Sequence, residues 1–390
     1  MVNILNKTDC CGCSACAQIC PKKCITMKAD DEGFLYPHIN VVDCIDCNLC
    51  EKICPVLNRY ESKLPLVSYA CKAQDEHLVK SSSSGGVVSV LSKFVIKNRG
   101  VVFGATFDND WMVNHCFVED EDELAKFQGS KYVQSNISCT YSQTKDFLEK
   151  GRLVMFIGTP CQIAGLNHFL RKKYDNLLTI DIICHSVPSP KVWKLYLDEL
   201  AQKKQCIVSN VIFRDKSFGW RDYALKICGQ SDDGRKHKII CEPKSRNLYM
   251  RGFLLDLYTR PSCSKCPARN YTSGSDFTIG DFWGYDKYYP DRFDEKGMSV
   301  VLLNTNKAVQ IYKNIEYLLL SWQIPYEQVE PTSLHLPLTE SSRPHRNRKY
   351  FYKKLDTANS VSRLIYSNIW YLEYKIKIYQ IIKKVISVLK

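Results

Sequence analysis

Apolar residues in this chain come in short runs bounded by turn residues, and the runs alternate with stretches of helical spacing. Residues 66–73 (LVSYACKA) predict a strand. It leads through the turn Ser81-Ser82-Ser83-Ser84-Gly85-Gly86 into a helical pattern ending near Asn98, and 101–107 predicts a second strand. The pattern recurs at 152–157 (RLVMFI), followed by a Gly-Thr-Pro-Cys turn and a helix near 162–173. It recurs again at 177–183 (LLTIDII), then Cys184 and a helical stretch over 189–204. Strands alternating with helices favour an α/β domain whose functional loops lie at strand ends. Beyond it, 207–230 reads as two strands around the loop Arg214-Asp215-Lys216-Ser217-Phe218-Gly219-Trp220, 246–258 as a helix, 300–304 as a strand and 308–321 as a helix. Residues 1 to about 60 form a cysteine-rich module, and a linker with Pro55 and Pro65 joins it to the rest.

Composition narrows the class. In 390 residues, 45% are hydrophobic and 24% charged, which excludes a disordered or collagen-like polymer. No window reaches the ~18 uncharged apolar residues of a spanning helix, and the opening MVNILNKTDCC carries no charged n-region with an apolar stretch. The outlier is cysteine, 20 in all and ten of them before residue 55. A disulfide framework belongs to short secreted chains. Tight pairs in a long chain without a leader point instead to metal or cluster ligation, and a cytoplasmic, reducing location is expected.

The run Cys10-x2-Cys13-x2-Cys16-x3-Cys20-Pro21 is repeated as Cys44-x2-Cys47-x2-Cys50-x3-Cys54-Pro55. Both match the bacterial ferredoxin spacing for [4Fe–4S] clusters, in which the fourth cysteine ligates the other cluster. Three thiolates two residues apart wrap one corner of a cubane and leave its fourth iron to a distant ligand. One cluster is therefore expected on Cys10, Cys13, Cys16 and Cys54, and a second on Cys44, Cys47, Cys50 and Cys20. Zinc also takes C-x2-C pairs but needs only four of these eight. Cys11 and Cys24 fall outside the spacing and read as buried apolar packing, as do the single cysteines Cys71, Cys116, Cys139, Cys206, Cys228 and Cys241.

Four later cysteines form a weaker group. Cys161 stands at a predicted helix N-terminus, Cys184 ends a predicted strand before His185, and Cys263 and Cys266 are a C-x2-C pair. From spacing they can be a third cluster, a zinc site or a redox disulfide, and Cys161 can also be a nucleophile beside His185.

The motifs SSSSGG (81–86), GSKYVQS (129–135), FIGTPCQIAGL (156–166), DIICHSVPSP (181–190), FRDKSFGW (213–220), SCSKCP (262–267) and GDFWG (280–284) stand in this order over residues ~66–340. With them the chain resembles the beta subunit of coenzyme F-420 hydrogenase/dehydrogenase, and its first 60 residues resemble ferredoxin domains. The resemblance implies a flavin-dependent iron–sulfur oxidoreductase, in a family whose members reduce the deazaflavin F-420 and whose plant relative reduces a chlorophyll derivative. It implies a third [4Fe–4S] cluster on Cys161, Cys184, Cys263 and Cys266. It also implies FAD contacts from Ser84, Gly85, Gly86, Lys131, Tyr132, Gly158, Thr159 and Pro160. Backbone N–H groups at a Gly-Gly helix start suit a pyrophosphate, although a plain turn has the same letters. Lys131 can balance phosphate or flavin charge, against the ordinary reading of a solvated lysine. Asp281 and Trp283 of GDFWG are placed near cluster or flavin, against the ordinary reading of core. Where the family often has Cys-His-Gly this chain has Cys184-His185-Ser186, so Ser186 must accept whatever backbone angle glycine supplies. Nothing in the residues identifies F-420 as the substrate.

The net charge of +13 is uneven: residues 341–390 hold twelve Lys and Arg against Asp356 and Glu373, which leaves +3 for the rest. Within 361–390, Ile365, Ile369, Leu372, Ile376, Tyr379 and Ile386 follow helical spacing, with Lys377 and Lys384 opposite. Such a helix can lie on an anionic membrane surface, giving peripheral contact at the inner face, or dock on its own domain or another subunit of a homo-oligomer. Nucleic-acid binding is not expected, since the charge is local and no motif accompanies it.

The chain thus reads as an α+β ferredoxin-like two-cluster module (1–60), an α/β domain of the coenzyme F-420 hydrogenase beta-subunit type (66–340) and a basic tail (341–390). The expected activity passes electrons from a ferredoxin-like donor through [4Fe–4S] clusters to FAD and on to a small organic substrate, with Arg214-Asp215-Lys216 and Trp220 as a substrate wall. The alternatives are a non-catalytic electron-transfer subunit serving a partner enzyme and a zinc-stabilised scaffold.

Overall fold

The structure is a computed structural model that describes residues 6–231, 234–292, 294–329 and 338–371. The N-terminal module is small. Each cysteine run feeds a one-turn helix, α1 (Ala15–Ile19) and α2 (Leu49–Lys52), and between them β1 (Ile25–Ala29) pairs antiparallel with β2 (Leu35–Ile39).

The rest is organised by one eight-stranded mixed sheet. Its strands are β3 (Val67–Ala73), β4 (Val101–Phe107), β5 (Val113–Val118), β6 (Val154–Gly158), β7 (Leu177–Ile182), β11 (Phe277–Asp281), β12 (Ser299–Leu303) and β13 (Leu319–Gln323), in the order β13-β3-β12-β11-β7-β6-β4-β5. The intervening β8 (Ile207–Asp215), β9 (Ala224–Gln230) and β10 (Lys236–Pro243) form a separate antiparallel sheet. Strands β4, β6, β7 and β11 run parallel, while β5, β12, β3 and β13 add antiparallel flanks. The parallel strands are apolar along their length because both faces are covered. On one face α4 (Val87–Lys97) and α9 (Asn306–Ile315) bury Leu91, Val95, Ala308 and Ile315 against Met155, Leu178 and Ile180. On the other, α5 (Thr140–Glu149) and α6 (Pro160–Leu170) bury Tyr141, Leu166 and Phe169 against Phe103 and Phe156.

The structure departs from the sequence expectations in three places. The helix expected over 308–321 stops at Ile315, and the apolar run after it is β13, because β3 offers it an open edge to pair with. The strands β5, β10 and β11, and helix α5, had no distinct signal. The segment after 341 is not a separate tail, and its helix docks on its own domain, as one of the alternatives above had it: α10 (Arg348–Leu355) and the helix over 361–371 bury Phe351, Leu355, Val361, Ile365 and Ile369 in the core of the three-stranded sheet, beside Trp193 and Tyr249 of α7 (Pro190–Lys204) and α8 (Leu248–Leu254). The lysines and apolar positions from Leu372 onward lie outside the described residues. Among the described residues no helix is long and apolar enough to cross a membrane.

The N-terminal module is pinned to the large domain. Arg260, 1% exposed, donates from Nε to the Cys10 carbonyl (2.8 Å), from one terminal nitrogen to the Leu35 carbonyl (2.9 Å) and from the other to Gln134 Oε1 (3.0 Å). Arg348 forks onto the Glu32 carboxylate, and Ser142 N–H donates to Gln18 Oε1 (3.1 Å). Arg260→Met leaves the carbonyls of Cys10 and Leu35 buried without donors, at about 1–3 kcal/mol each. Urea denaturation of the variant is expected to show that loss, with the N-terminal module becoming the first part cut by protease.

Candidate metal centres

The two cysteine runs are wound the same way. Gly12 and Ser14 in the first, Asp46 and Asn48 in the second, all take positive φ (69°, 63°, 47° and 58°). These are the second and fourth residues after the leading cysteine of each run, and the left-handed turns curl each loop around a hollow. Glycine takes that angle freely and Asn and Asp tolerate it; Ser14 is the exception.

Each hollow is lined by cysteines of both runs. One, about 330 Å³ and partly open, is lined by Cys10, Cys13, Cys16 and Cys54, with Cys11 beside them. The other, about 370 Å³ and partly open, is lined by Cys20, Cys44, Cys47 and Cys50, with Cys24. Cys54 and Cys20 thus leave their own loops and cross to the opposite hollow. Among the described residues, no three His, Cys, Asp or Glu side chains converge on a point that a single ion could occupy. Zinc draws four sulfurs to about 2.3 Å from one point. Four thiols spread around a void instead suit a cluster, which presents a separate iron to each. Burial, with the neighbouring Cys10, Cys54 and Cys50, pushes the Cys16 thiol up to about 12, a cost that a cationic metal centre removes.

Cys11 and Cys24 are buried, as expected. Cys11 packs in an apolar cluster with Cys13, Ile53 and Leu166, against which Cys161 is packed, and Cys24 Sγ lies 3.3 Å from Cys20 Sγ. Of the single cysteines expected to be buried, Cys71 is, whereas Cys139 is exposed at the start of α5 and Cys116, Cys206, Cys228 and Cys241 are half-buried.

The third group assembles from three segments. Cys161 is the second residue of α6, Cys184 follows β7, and Cys263 sits in a 3-10 turn, Pro261–Lys265, three residues before Cys266. Cys184 lies within electrostatic range of Cys263, Cys161 and Cys266, and burial pushes its thiol well above the usual range. Burial likewise raises Cys263 to about 12. Ser186 needs no glycine-like angle: its φ is not positive, and its hydroxyl donates to Asp256 Oδ1 (3.1 Å).

Beside these cysteines, the motif loops meet at the C-terminal edge of the parallel strands, where open α/β sheets place their ligands. Ser83 Oγ takes a hydrogen bond from Ser130 N–H (2.6 Å) and joins loop 81–86 to loop 129–132. Arg214 ties in the rest. Its guanidinium, stacked 3.9 Å from the Tyr223 ring, donates to both Asp281 oxygens (2.7 and 3.0 Å), to Tyr132 Oη (3.1 Å) and to the Ser83 carbonyl (2.9 Å). Trp220 Nε1 also donates to Asp281 (2.9 Å), and its ring stacks on Trp283. Arg214 and Trp220, expected as a substrate wall, are therefore buried structural partners of GDFWG.

The residues expected to touch flavin divide. Gly85 N–H is committed to Ser299 Oγ (3.0 Å), and a Cβ there would meet the Cys71 carbonyl at 2.6 Å, so this glycine serves close packing on β3. Ser84 Oγ donates to the Met298 carbonyl (2.7 Å), and Thr159 N–H to Gln162 Oε1 (2.9 Å), which with Pro160 starts α6 after Gly158. Gly86 (φ 82°) opens α4 with no side-chain cap. Lys131 is not a solvated lysine. Its ammonium donates to the carbonyls of Gln128 (3.3 Å) and Gly129 (3.2 Å) and stands 5.9 Å from the Phe107 ring centre, with no carboxylate among its described partners; burial lowers it to about 8, and Gly129 faces open space. Nearby, burial lowers His115 to about 4; its Nε2 bonds the Ile157 carbonyl (3.0 Å) and its Nδ1 is buried without a partner. An under-bonded cation and an orphaned ring nitrogen fit a polar, anionic cofactor, and sequence inspection had no means of finding His115.

Three family models match the chain. A 4Fe-4S dicluster domain covers residues 9–58, the N-terminal part of the coenzyme F420 hydrogenase/dehydrogenase beta subunit covers 68–139, and the C terminus of that subunit covers 151–319. Among solved structures, a chain of the xenon-derivatised F420-reducing [NiFe] hydrogenase complex from Methanosarcina barkeri is similar at 14% identity, over 76% of this chain and 95% of that one, with a TM-score of 0.46. No curated protein matches.

Two outcomes follow for the buried charges. Arg214→Met strands the Asp281 carboxylate and is expected to cost about 3–5 kcal/mol in urea denaturation, with part recovered in Arg214→Met/Asp281→Asn. Lys131 titrates at about 8 when folded and near 10.4 when unfolded. The unfolded chain therefore binds more protons between those values, and stability rises as pH climbs through them. Lys131→Met is expected to lessen that rise, read as melting temperature against pH, and not to abolish it, since burial lowers Lys216 to about 8 as well.

Proposed function

The chain belongs to the coenzyme F420 hydrogenase/dehydrogenase beta-subunit family, and from that membership we propose that it is an iron–sulfur flavoprotein carrying electrons from a ferredoxin-like donor to an organic substrate. The observation that carries this reading is the placing of three cysteine groups: two four-cysteine hollows in the N-terminal module and a third group whose Cys161 packs against the cluster holding Cys11 and Cys13. On this reading Cys10, Cys13, Cys16 and Cys54 hold one [4Fe–4S] cluster, Cys20, Cys44, Cys47 and Cys50 a second, and Cys161, Cys184, Cys263 and Cys266 a third.

Electrons enter at the outer hollow. Cys47 is exposed there, and Val41, Val42 and Ile45 form an uncovered apolar rim suited to a one-electron donor protein. Lys131, Gly86 and the Gly158-Thr159-Pro160 turn would hold FAD, with Lys131 balancing its negative charge and His115 nearby as a neutral imidazole. When bound, the flavin supplies the exchange between one-electron and two-electron chemistry that clusters lack. The protein's part is to hold and insulate the centres.

A second reading is an electron-transfer subunit without flavin that serves a partner enzyme. It is favoured by one observation: Gly85, Ser84 and Tyr132 are already bonded to other parts of the chain. Cofactor content separates the two. Protein purified without oxygen is expected to hold about twelve irons, matching sulfide and one FAD. About eight irons and no flavin would leave a two-cluster carrier and sink the reductase mechanism, and zinc in a colourless protein would overturn both.

A further inference from the structure

On the reading of the three groups as cluster sites, on which this step rests, we infer that the third group takes its electrons from the first ferredoxin site and not from the second, across a seam that Gly165 and Cys11 create. Helix α6 carries Cys161 at its second position and Gly165 one turn later. Cys13 packs directly on that glycine. A methyl at Gly165 would stand 2.8 Å from Cys13 Cβ, 3.0 Å from Cys13 Sγ and 3.0 Å from the Tyr141 hydroxyl, so any side chain forces the first cysteine loop off the helix.

Cys11 closes the same seam from the loop's side. It falls outside the ligand spacing, yet it shares an apolar core cluster with Cys13 against which Cys161 is packed, and so stands beside one ligand of each site. Its carbonyl accepts from Gln134 Nε2 (3.3 Å), while Arg260, three residues before Cys263, bonds the Cys10 carbonyl. The first loop is therefore tied to the third group at Cys10, Cys11 and Cys13. The second loop differs: its Cys44 and Cys47 lie toward the exposed rim of Val42 and Ile45. With clusters bound, one electron would leave the Cys10/Cys13/Cys16/Cys54 site, oxidising it by one unit, and would reduce the Cys161/Cys184/Cys263/Cys266 site by one, with no proton or bond change. The donor protein would restore the first site by way of the second.

The test uses the full chain, iron-loaded and reduced with dithionite, with electron paramagnetic resonance and iron counts on each variant. The wild type is expected to show the third-site signal, identified by its disappearance in Cys263→Ser, broadened and fast-relaxing because of a reduced neighbour. Cys47→Ser, which disables the second site, should keep that broadening, and Cys16→Ser should lose it. Gly165→Ala removes no ligand but adds one methyl at a helical position that pushes the Cys13 loop away from α6, and should weaken the broadening at unchanged iron content. Broadening that survives Cys16→Ser but vanishes in Cys47→Ser overturns the inference. So does its absence from a wild type holding about twelve irons, or a Gly165→Ala spectrum identical to wild type. About eight irons with no third signal instead removes the third site itself, and the inference falls with that reading.

Discussion

A buried arginine with no carboxylate among its described partners holds this molecule together. Arg260 spends its donors on the carbonyls of Cys10 and Leu35 and on Gln134, with its cation over the Tyr36 ring. A charge so enclosed is costly unless it is fully bonded and offset. The hydrogen bonds meet the first condition. The second is met by its surroundings, since it stands between the first cysteine loop and the Cys263 turn, where anionic centres are proposed. Remove it and the N-terminal module loses both its anchor and its register against α6.

A second buried arginine does the same work for the motif loops. Arg214 leaves β8 and gathers Ser83, Tyr132 and Asp281, residues from three distant segments, while Trp220 shares the same carboxylate. Motifs far apart along the chain are thus parts of one bonded assembly, and a change in Arg214 or Asp281 strands a charge in the other. The open features left beside this frame, Lys131, Gly129 and the Nδ1 of His115, without a partner among the described residues, are where the flavin is proposed.

Much of the fold could be read from local pattern. The parallel strands at 101–107, 154–158 and 177–182 are short apolar runs buried on both faces, and helices α4, α6 and α7 begin at turns with clear chemistry. What escaped reading was whatever depended on a distant partner. β13 exists because β3 has a free edge. β11 carries the GDFWG motif, whose letters resemble a loop. The helix at 361–371 looked like a tail until Trp193 and Tyr249 covered its apolar face.

The same division runs through the metal centres. The eight cysteines of the N-terminal module, and their exchange of Cys20 for Cys54, are fixed by sequence because ligand spacing within one loop sets how it can wrap a void. So too are the left-handed turns at Gly12, Asp46 and Asn48, since few residues accept that angle. Spacing left the four later cysteines open; the tertiary structure brings Cys184 within electrostatic range of Cys161, Cys263 and Cys266, packs Cys161 against the cluster of Cys11 and Cys13, and buries Lys131. Each of these depends on segments scores of residues apart being packed together, and packing at that range leaves no periodic mark on the chain.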